Sequence, residues 1–222
     1  MKAMILAAGR GERLRPMTDT VPKALVEVQG RSLIDWHLDK IADAGIRDVV
    51  INLGWLGHCV QAHVGDGSRF GITVQYSEEG ENILETGGGI HRALPLLGSE
   101  PFLVINADVF TEMPMPGIRL APDCLGHLVL VPQPAHRAQG DFILDSGRVR
   151  NAESCDLTFS GVALYRPALF KDCSAGRFSI VPLLRAAADN GKLQGSRYDG
   201  PWADVGTAAR LEAANSIEAH TT

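Results

Sequence analysis

The junction between the first apolar run and the loop after it constrains the fold of this chain more than any other sequence feature. The run Lys2–Ala7 predicts a buried strand, which Gly9 and Gly11 break into a loop. Three arginines lie in this loop and Lys23 follows it, so positive charge is concentrated beside freed peptide N–H groups. Loops of this kind bind polyphosphates. Because the loop follows the carboxyl end of a strand, the sequence predicts an active site there.

Composition and charge restrict the partners that the chain can have. Of its 222 residues, 45% are hydrophobic and 21% charged, as in a globular α/β domain. The net charge of −5 disfavours a nucleic-acid polymer or an anionic membrane, and makes the basic loop a local site for a small anion. We find no secretion signal and no run approaching the ~18 apolar residues of a membrane span. We expect a cytoplasmic protein with four reduced cysteines.

Strands and helices are predicted to alternate through the first half of the chain. Ser32 is a candidate cap for the first helix and Gly45 a candidate end. The β-α-β-α order favours a Rossmann-like, doubly wound and mostly parallel sheet. The predicted elements are strand Lys2–Ala7, helix Ser32–Ala44, strand Asp48–Leu53, helix His58–Val64, strand Ile72–Tyr76, helix Gly88–Leu97 and strand Phe102–Ala107.

The second half has a different pattern, in which a hairpin turn at 145–147 joins two short strands. We expect an α+β addition to the first sheet that forms one wall of a pocket. Its predicted elements are strands Leu128–Val131, Phe142–Leu144, Arg148–Arg150 and Thr158–Tyr165, and helices Ile180–Asn190 and Thr207–Ala219.

The two loop glycines alone leave the kind of nucleotide site open. In the dinucleotide-binding pattern GxGxxG a third glycine is required, but Leu14 stands at that position, and the loop continues with Arg15 and Pro16. A dinucleotide-dependent oxidoreductase is therefore disfavoured, and the Walker A pattern is absent from the sequence. A merely structural loop would explain glycine and proline but not so many cations.

Several segments together resemble the signature of the sugar-phosphate nucleotidylyltransferases. The segments are Leu6–Thr18, Pro22–Leu25, Leu84–Gly89, Asn106–Asp108 and Trp202–Thr207. Members of that family join a nucleoside triphosphate to a sugar 1-phosphate and release pyrophosphate. The resemblance covers nearly the whole chain and implies one nucleotidyltransferase domain over residues 1–222, with a nucleotide-binding part over about 1–110 and a sugar-binding part over about 111–222.

The resemblance also implies the site residues. Arg13 and Lys23 are the implied catalytic cations, and Asp108 and Asp204 the implied ligands of Mg²⁺, which prefers oxygen ligands. Either aspartate alone is as well explained by a turn or a helix cap, but the pair favours a metal site. The implied nucleotide-binding residues are Ala8, Gly9, Gly11, Glu12, Arg13, Lys23, Glu79, Gly87 and Gly88.

Base and sugar recognition depend on the resemblance alone. Glu79 is the implied contact of the base, with Glu78 and Glu81 as alternatives, and three consecutive glycines at 87–89 favour a close approach of the backbone to a ligand. Asn106, Gly140, Asp141 and Glu153 are the implied sugar contacts. The family's Glu-Lys-Pro pattern is replaced by Glu153–Cys155, so a lysine is missing and a solvated loop carboxylate explains Glu153 almost as well.

The short chain and the Glu85–Gly89 segment favour a uridylyltransferase of peptidoglycan recycling within this family. The expected reaction takes UTP and N-acetylmuramic acid α-1-phosphate to UDP-N-acetylmuramic acid and pyrophosphate. A guanylyl- or thymidylyltransferase acting on heptose, mannose or glucose 1-phosphate would share every motif and remains an alternative. A non-catalytic nucleotide-binding subunit would be expected to lack Lys23 or one of the two aspartates. We expect a monomer or a weak dimer.

Overall fold

The structure is a computed structural model that describes residues 1–80, 83–115 and 119–217. Strands and α-helices alternate in its first half, and strands predominate afterwards. The strands are β1 (Ala3–Leu6), β2 (Glu27–Val28), β3 (Arg31–Ser32), β4 (Asp48–Leu53), β5 (Thr73–Glu78), β6 (Phe102–Asn106), β7 (Val109–Thr111), β8 (Gly126–Pro132), β9 (Ile143–Asp145), β10 (Arg148–Arg150), β11 (Leu157–Tyr165), β12 (Leu193–Arg197) and β13 (Trp202–Asp204). The helices are α1 (Leu33–Asp43), α2 (Gly57–Val64), α3 (Glu85–Leu97), α4 (Val181–Asp189) and α5 (Ala208–Asn215).

One mixed sheet of nine strands contains elements from both halves of the chain, in the order β5-β4-β1-β6-β11-β8-β12-β10-β9. Strands β5, β4, β1 and β6 pair in parallel, so their carboxyl ends meet at one edge. Strand β11 is antiparallel to both β6 and β8, and β12 runs parallel to β8. The predicted Rossmann-like α/β class with a mixed sheet is confirmed.

Alternate residues of β1 explain why helices cover both faces of this sheet. Ala3 and Ile5 pack in a buried cluster with residues of α1 and α2, whereas Met4 packs on the other face with residues of α3 and α4. Each of these β1 side chains is fully buried. A strand that is apolar on both faces therefore occupies the middle of the sheet and brings the basic loop to its carboxyl edge.

The first helix has the boundaries that its capping residues predict. The Ser32 hydroxyl accepts a hydrogen bond from the Asp35 N–H at 3.3 Å, and Gly45 follows the helix with φ of +76°. The predicted elements of the first half are confirmed to within a few residues, except that α3 begins at Glu85 and not at Gly88. The consecutive glycines at 87–89 therefore lie in the first turns of a helix.

Strands β7, β12 and β13 are among the elements that the sequence did not predict. Strands β7 and β13 contain three residues each, too few for an alternating pattern to show in the sequence. The predicted C-terminal helix Thr207–Ala219 is observed as α5, and its last predicted residues lie outside the described ranges. Within these ranges, every helix lacks the length or the apolar character that crossing a bilayer requires.

Helix α1 carries a buried histidine whose protonation should affect stability. His37 is 1% exposed, and burial lowers its pKa to about 4, although the Asp108 carboxylate favours the charged form. The unfolded chain has the ordinary value near 6.5, so it binds more protons than the folded chain between pH 4 and 6.5. The contribution of neutral His37 is therefore complete above pH 6.5 and is lost as the pH falls towards 4.

We predict that H37L removes this part of the pH dependence. Relative to the variant, the wild type should lose on the order of 3 kcal/mol of unfolding free energy between pH 6.5 and 4. Urea unfolding across that pH range measures the difference. The control is H58L, at an exposed histidine, which should keep the wild-type pH profile. Parallel profiles for H37L and wild type would contradict the prediction.

Candidate active site

Two adjoining cavities lie at the carboxyl edge of the parallel strands and share Gly9, Lys23, Ile83 and Asp108. The larger, called the main cleft, has a volume of about 990 Å³, and the smaller, the inner pocket, about 180 Å³. The main cleft is lined by Gly9, Arg10, Gly11, Glu12, Arg13, Lys23, Ile83, Asp108, Arg177 and Gly206. The inner pocket is lined by Leu6, Ala7, Ala8, Gly9, Lys23, Ala24, Asn52, Glu79, Ile83, Glu85, Thr86, Asn106, Ala107 and Asp108.

The loop after β1 is folded tightly around Gly11. This residue has φ of +65°, and a side-chain carbon on it would lie 2.9 Å from the Thr18 methyl group. Its carbonyl accepts hydrogen bonds from the Leu14 N–H and the Thr18 hydroxyl, both at 2.8 Å. Around Gly9, in contrast, there is open space on the side where a side chain would project. The loop thus turns its backbone to the main cleft, as the sequence predicts.

The two predicted catalytic cations both line the main cleft but differ in their surroundings. The Lys23 side chain is 12% exposed, and its Nζ lies 2.5 Å from Oδ2 of Asp108. The Arg13 side chain is exposed and forms no ion pair within the described ranges. Arg10 and Arg177 add two further positive charges to this cleft, against the two carboxylates of Glu12 and Asp108. Such an excess suits a polyphosphate.

The two predicted metal ligands are brought together by β7 and β13. Asp108 immediately precedes β7, and Asp204 ends β13, where it is opposite Val109 in the antiparallel register. The Val205 N–H donates to the Asp108 carbonyl at 2.8 Å, so the two aspartates occupy neighbouring positions across the strand pair. Two aspartates far apart in sequence therefore have neighbouring backbones, with Asp108 at the main cleft and Asp204 in a different cavity that His136 and Arg210 also line.

The Asp204 carboxylate has one oxygen left for a ligand. Its Oδ2 accepts from Arg210, whereas Oδ1 is buried without a hydrogen-bond partner and lies 3.6 Å from Nε2 of His136. A buried oxygen in this condition can accept a cation. In the part of the chain that the structure describes, no three His, Cys, Asp or Glu side chains cluster around one point. A metal here would thus need ligands from phosphate or water besides the two aspartates, as Mg²⁺ accepts.

Glu79 belongs to a buried polar chain at the floor of the inner pocket. The Ala7 N–H donates to Asn52 Oδ1 at 2.7 Å, and Asn52 Nδ2 donates to Glu79 Oε1 at 2.6 Å. Glu79 Oε2 accepts from the Leu84 N–H at 2.7 Å, and the residue is 7% exposed. The carboxylate therefore connects the ends of β1, β4 and β5 to the start of α3. Its contact with a base stays a prediction; Glu78 is exposed, and Glu81 lies outside the described residues.

The consecutive glycines at 87–89 are buried in helix α3, where each has a packing reason. A side-chain carbon would meet the Phe178 ring at Gly87, the Gly176 carbonyl at Gly88 and the Glu79 carboxylate at Gly89. The Gly88 N–H also donates to the Phe178 carbonyl at 3.0 Å. The close approach is therefore made by other parts of this chain, and ligand contacts at Gly87 and Gly88 stay predictions.

The predicted sugar-binding residues are not all brought to one place. Asn106 lines the inner pocket beside a β-bulge at Gly161, whose φ is +84°. Asp141 is bound by Arg137 and by the Phe159 N–H, all at 2.9 Å. Of the four, only Asn106 lines either cavity; the other three are Gly140, Asp141 and Glu153.

Sequence reasoning missed three polar residues of the site. Asn52 is the last but one residue of β4 and interrupts the apolar run that begins at Val49, which is a signal that could have been used. Arg177 lines the main cleft while bound to Glu85 at 2.9 Å, and Arg210 binds Asp204. Neither arginine belongs to a recognisable pattern, since only the fold brings Arg177 to the main cleft and Arg210 to the cavity that it shares with Asp204.

Comparisons with known proteins agree with this geometry. The family model of the nucleotidyl transferases matches residues 2–120. Two relatives are called N-acetylmuramate alpha-1-phosphate uridylyltransferase. The one from Neisseria meningitidis is 45% identical over 98% of this chain and 98% of its own length. The one from Caulobacter vibrioides is 36% identical over 92% of this chain and 91% of its own length. A Bacillus anthracis protein crystallised with a sucrose has the same fold, with a TM-score of 0.86 at 21% identity over 100% of this chain and 96% of that one. The resemblance found in the sequence is confirmed, and the chain belongs to the nucleotidyl transferase family.

Proposed function

We propose that this enzyme transfers a uridylyl group from UTP to N-acetylmuramic acid α-1-phosphate, releasing pyrophosphate and UDP-N-acetylmuramic acid for peptidoglycan recycling. The observation that carries the reaction type is the main cleft, where Arg13 and Lys23 lie beside Asp108 at the end of a parallel strand. The choice of UTP and of this acceptor follows the names of the two relatives that match nearly the whole chain.

The chemistry requires positioning and charge rather than a protein nucleophile. An oxygen of the acceptor phosphate attacks the α-phosphorus of UTP, a new P–O bond forms, and the bond to the bridging oxygen of the β-phosphate breaks. Pyrophosphate leaves with that electron pair. Arg13 and the amides of the loop at Gly9 and Gly11 would bind the β- and γ-phosphates, and Lys23 would stabilise charge that develops on the α-phosphoryl oxygens.

Asp108 and Asp204 would hold the Mg²⁺ that this reaction uses. When bound, the ion would neutralise phosphate charge and fix the orientation of the phosphate oxygens. The unpartnered Oδ1 of Asp204 supports this role. The Lys23 ammonium donates a hydrogen bond to the Asp108 carboxylate and balances its negative charge.

Substrate recognition is divided between the two halves of the chain in this proposal. Residues 1–110 would bind the nucleotide, with Ala8, Glu12, Glu79, Gly87 and Gly88 around ribose and base. Residues 111–222, together with Asn106, would bind the sugar, with Gly140, Asp141 and Glu153 as contacts. Because UTP is a cytosolic nucleotide, we propose that the enzyme works in the cytoplasm, as a monomer or a weak dimer.

Substrate choice is tested by turnover with four nucleoside triphosphates against a panel of sugar 1-phosphates. UTP with N-acetylmuramic acid α-1-phosphate should give the highest kcat/KM, measured by pyrophosphate release. Product from GTP or dTTP with heptose, mannose or glucose 1-phosphate, and none from UTP, would contradict the proposal and favour a guanylyl- or thymidylyltransferase.

Removing either metal carboxylate should abolish most activity. We expect D108N and D204N to lower kcat by about 100-fold or more, because the charge that holds the metal is lost while the shape of the side chain is kept. Steady-state rates across a Mg²⁺ titration measure the loss. The control is D145N, at an exposed hairpin aspartate paired with Arg150. Wild-type rates in both variants would exclude the two aspartates from the metal site.

Loss of the Lys23 ammonium should slow the chemical step. The variant K23A is expected to lower kcat by about 100- to 1,000-fold, or roughly 3–4 kcal/mol of transition-state stabilisation, since a positioned charge beside the α-phosphate is removed. Single-turnover rates at saturating UTP separate this effect from weaker binding. K171A is the control at a lysine whose side chain is 73% exposed. An effect confined to KM would instead assign Lys23 to binding alone.

A further inference from the structure

Two guanidinium groups converge over Gly206 at the rim of the main cleft. Nη2 of Arg210 and Nη2 of Arg13 lie 2.5 and 3.0 Å from the point that a side-chain carbon on Gly206 would occupy. Arg13 reaches this point from the loop after β1, whereas Arg210 comes from helix α5 near the other end of the chain. A side-chain carbon there would clash with Arg210, so glycine lets this guanidinium lie against the backbone at the edge of the main cleft.

The two ends of the Arg210 guanidinium are in different environments. Its Nη1 binds Asp204 and lies 3.2 Å from Nε2 of His136, and its Nε donates to the Thr207 hydroxyl at 3.3 Å. With its side chain 17% exposed, Arg210 is fixed in this orientation. Among the described residues, Nη2 has no hydrogen-bond partner, and it lies against Gly206, a residue that lines the main cleft.

Like charges repel, so two guanidinium groups that lie this close together are stabilised by an anion that binds both. Pyrophosphate is large enough to accept hydrogen bonds from both groups, and the planar fork of arginine suits its oxygens. The other cations of the cleft already have partners: Lys23 pairs with Asp108, Arg177 pairs with Glu85, and Arg10 lies over the ring of Trp55.

We propose that Arg210 and Arg13 together bind the β- and γ-phosphates of the nucleotide and the departing pyrophosphate above Gly206. This inference depends on the proposed function and adds a binding residue from α5 to it. Through its other end, Arg210 connects that phosphate site to Asp204, so helix α5 is coupled to occupation of the phosphate site.

The test compares pyrophosphate binding by the whole enzyme and by R210Q, using calorimetry at saturating Mg²⁺. The dissociation constant of the variant should rise about 10- to 100-fold, the loss expected for a charge-assisted hydrogen bond. KM for UTP should rise in parallel. The matched control is R150Q, at an exposed arginine of the β9–β10 hairpin that lines neither cavity.

A second variant, G206A, keeps both arginines in the chain. Its side-chain carbon would lie 2.5 Å from Nη2 of Arg210 and would displace that guanidinium, so we expect weakened pyrophosphate binding here too. This variant keeps the proposal testable if R210Q does not fold.

Unchanged pyrophosphate affinity in folded R210Q would overturn the proposal. A change in Mg²⁺ affinity alone would overturn the proposal as well, since the role of Arg210 would then be limited to balancing the charge of the Asp204 carboxylate. Loss of discrimination among sugar phosphates, with normal pyrophosphate binding, would place Arg210 at the acceptor instead. Failure of the proposed function would give a different result from failure of this inference. The wild-type enzyme would then bind pyrophosphate but would not turn over UTP and N-acetylmuramic acid α-1-phosphate.

Discussion

The antiparallel pairing of β7 with β13 is the contact on which the site depends, because it places Asp204 beside Asp108. Hydrogen bonds from Val205 and Glu112 extend this short pair at both ends. Its apolar side chains, Phe110 and Val205, pack in one buried cluster that also contains Leu14 of the basic loop and Ala214 of α5. The hydrophobic effect thus fixes the loop that carries Arg13, the two aspartates and the helix that carries Arg210 as one unit.

Charges around the main cleft are paired in a way that substrates can rearrange. Lys23 forms an ion pair with Asp108, Arg210 with Asp204, and Arg177 with Glu85. Burying a carboxylate without a partner is costly, so these pairs stabilise the folded chain when no ligand is present. In the proposed reaction, phosphates compete for the cations and a divalent ion competes for the aspartates. Binding then exchanges one set of charged contacts for another.

Close packing beneath the inner pocket explains residues that look like ligand-binding residues in the sequence. Asn52 and Glu79 tie the ends of three parallel strands together through short hydrogen bonds, and Gly89 leaves room for them. Gly87 and Gly88 let helix α3 approach the loop at 176–178. That loop carries Arg177, so the glycines position a cation of the cleft indirectly.

The amino-acid sequence by itself determined the α/β class and the boundaries of α1 and β4, and it predicted a phosphate site after β1, because periodicity, capping and loop composition are local properties. The separate motifs at 108 and 204 identified the candidate metal carboxylates. Only the tertiary structure decided that the backbones of these two residues are adjacent, that Glu79 is held by Asn52, that Arg177 reaches the cleft and that Arg210 lies against Gly206. Such contacts join distant segments through strands of three residues and through packing, which leave no periodic signal in the chain.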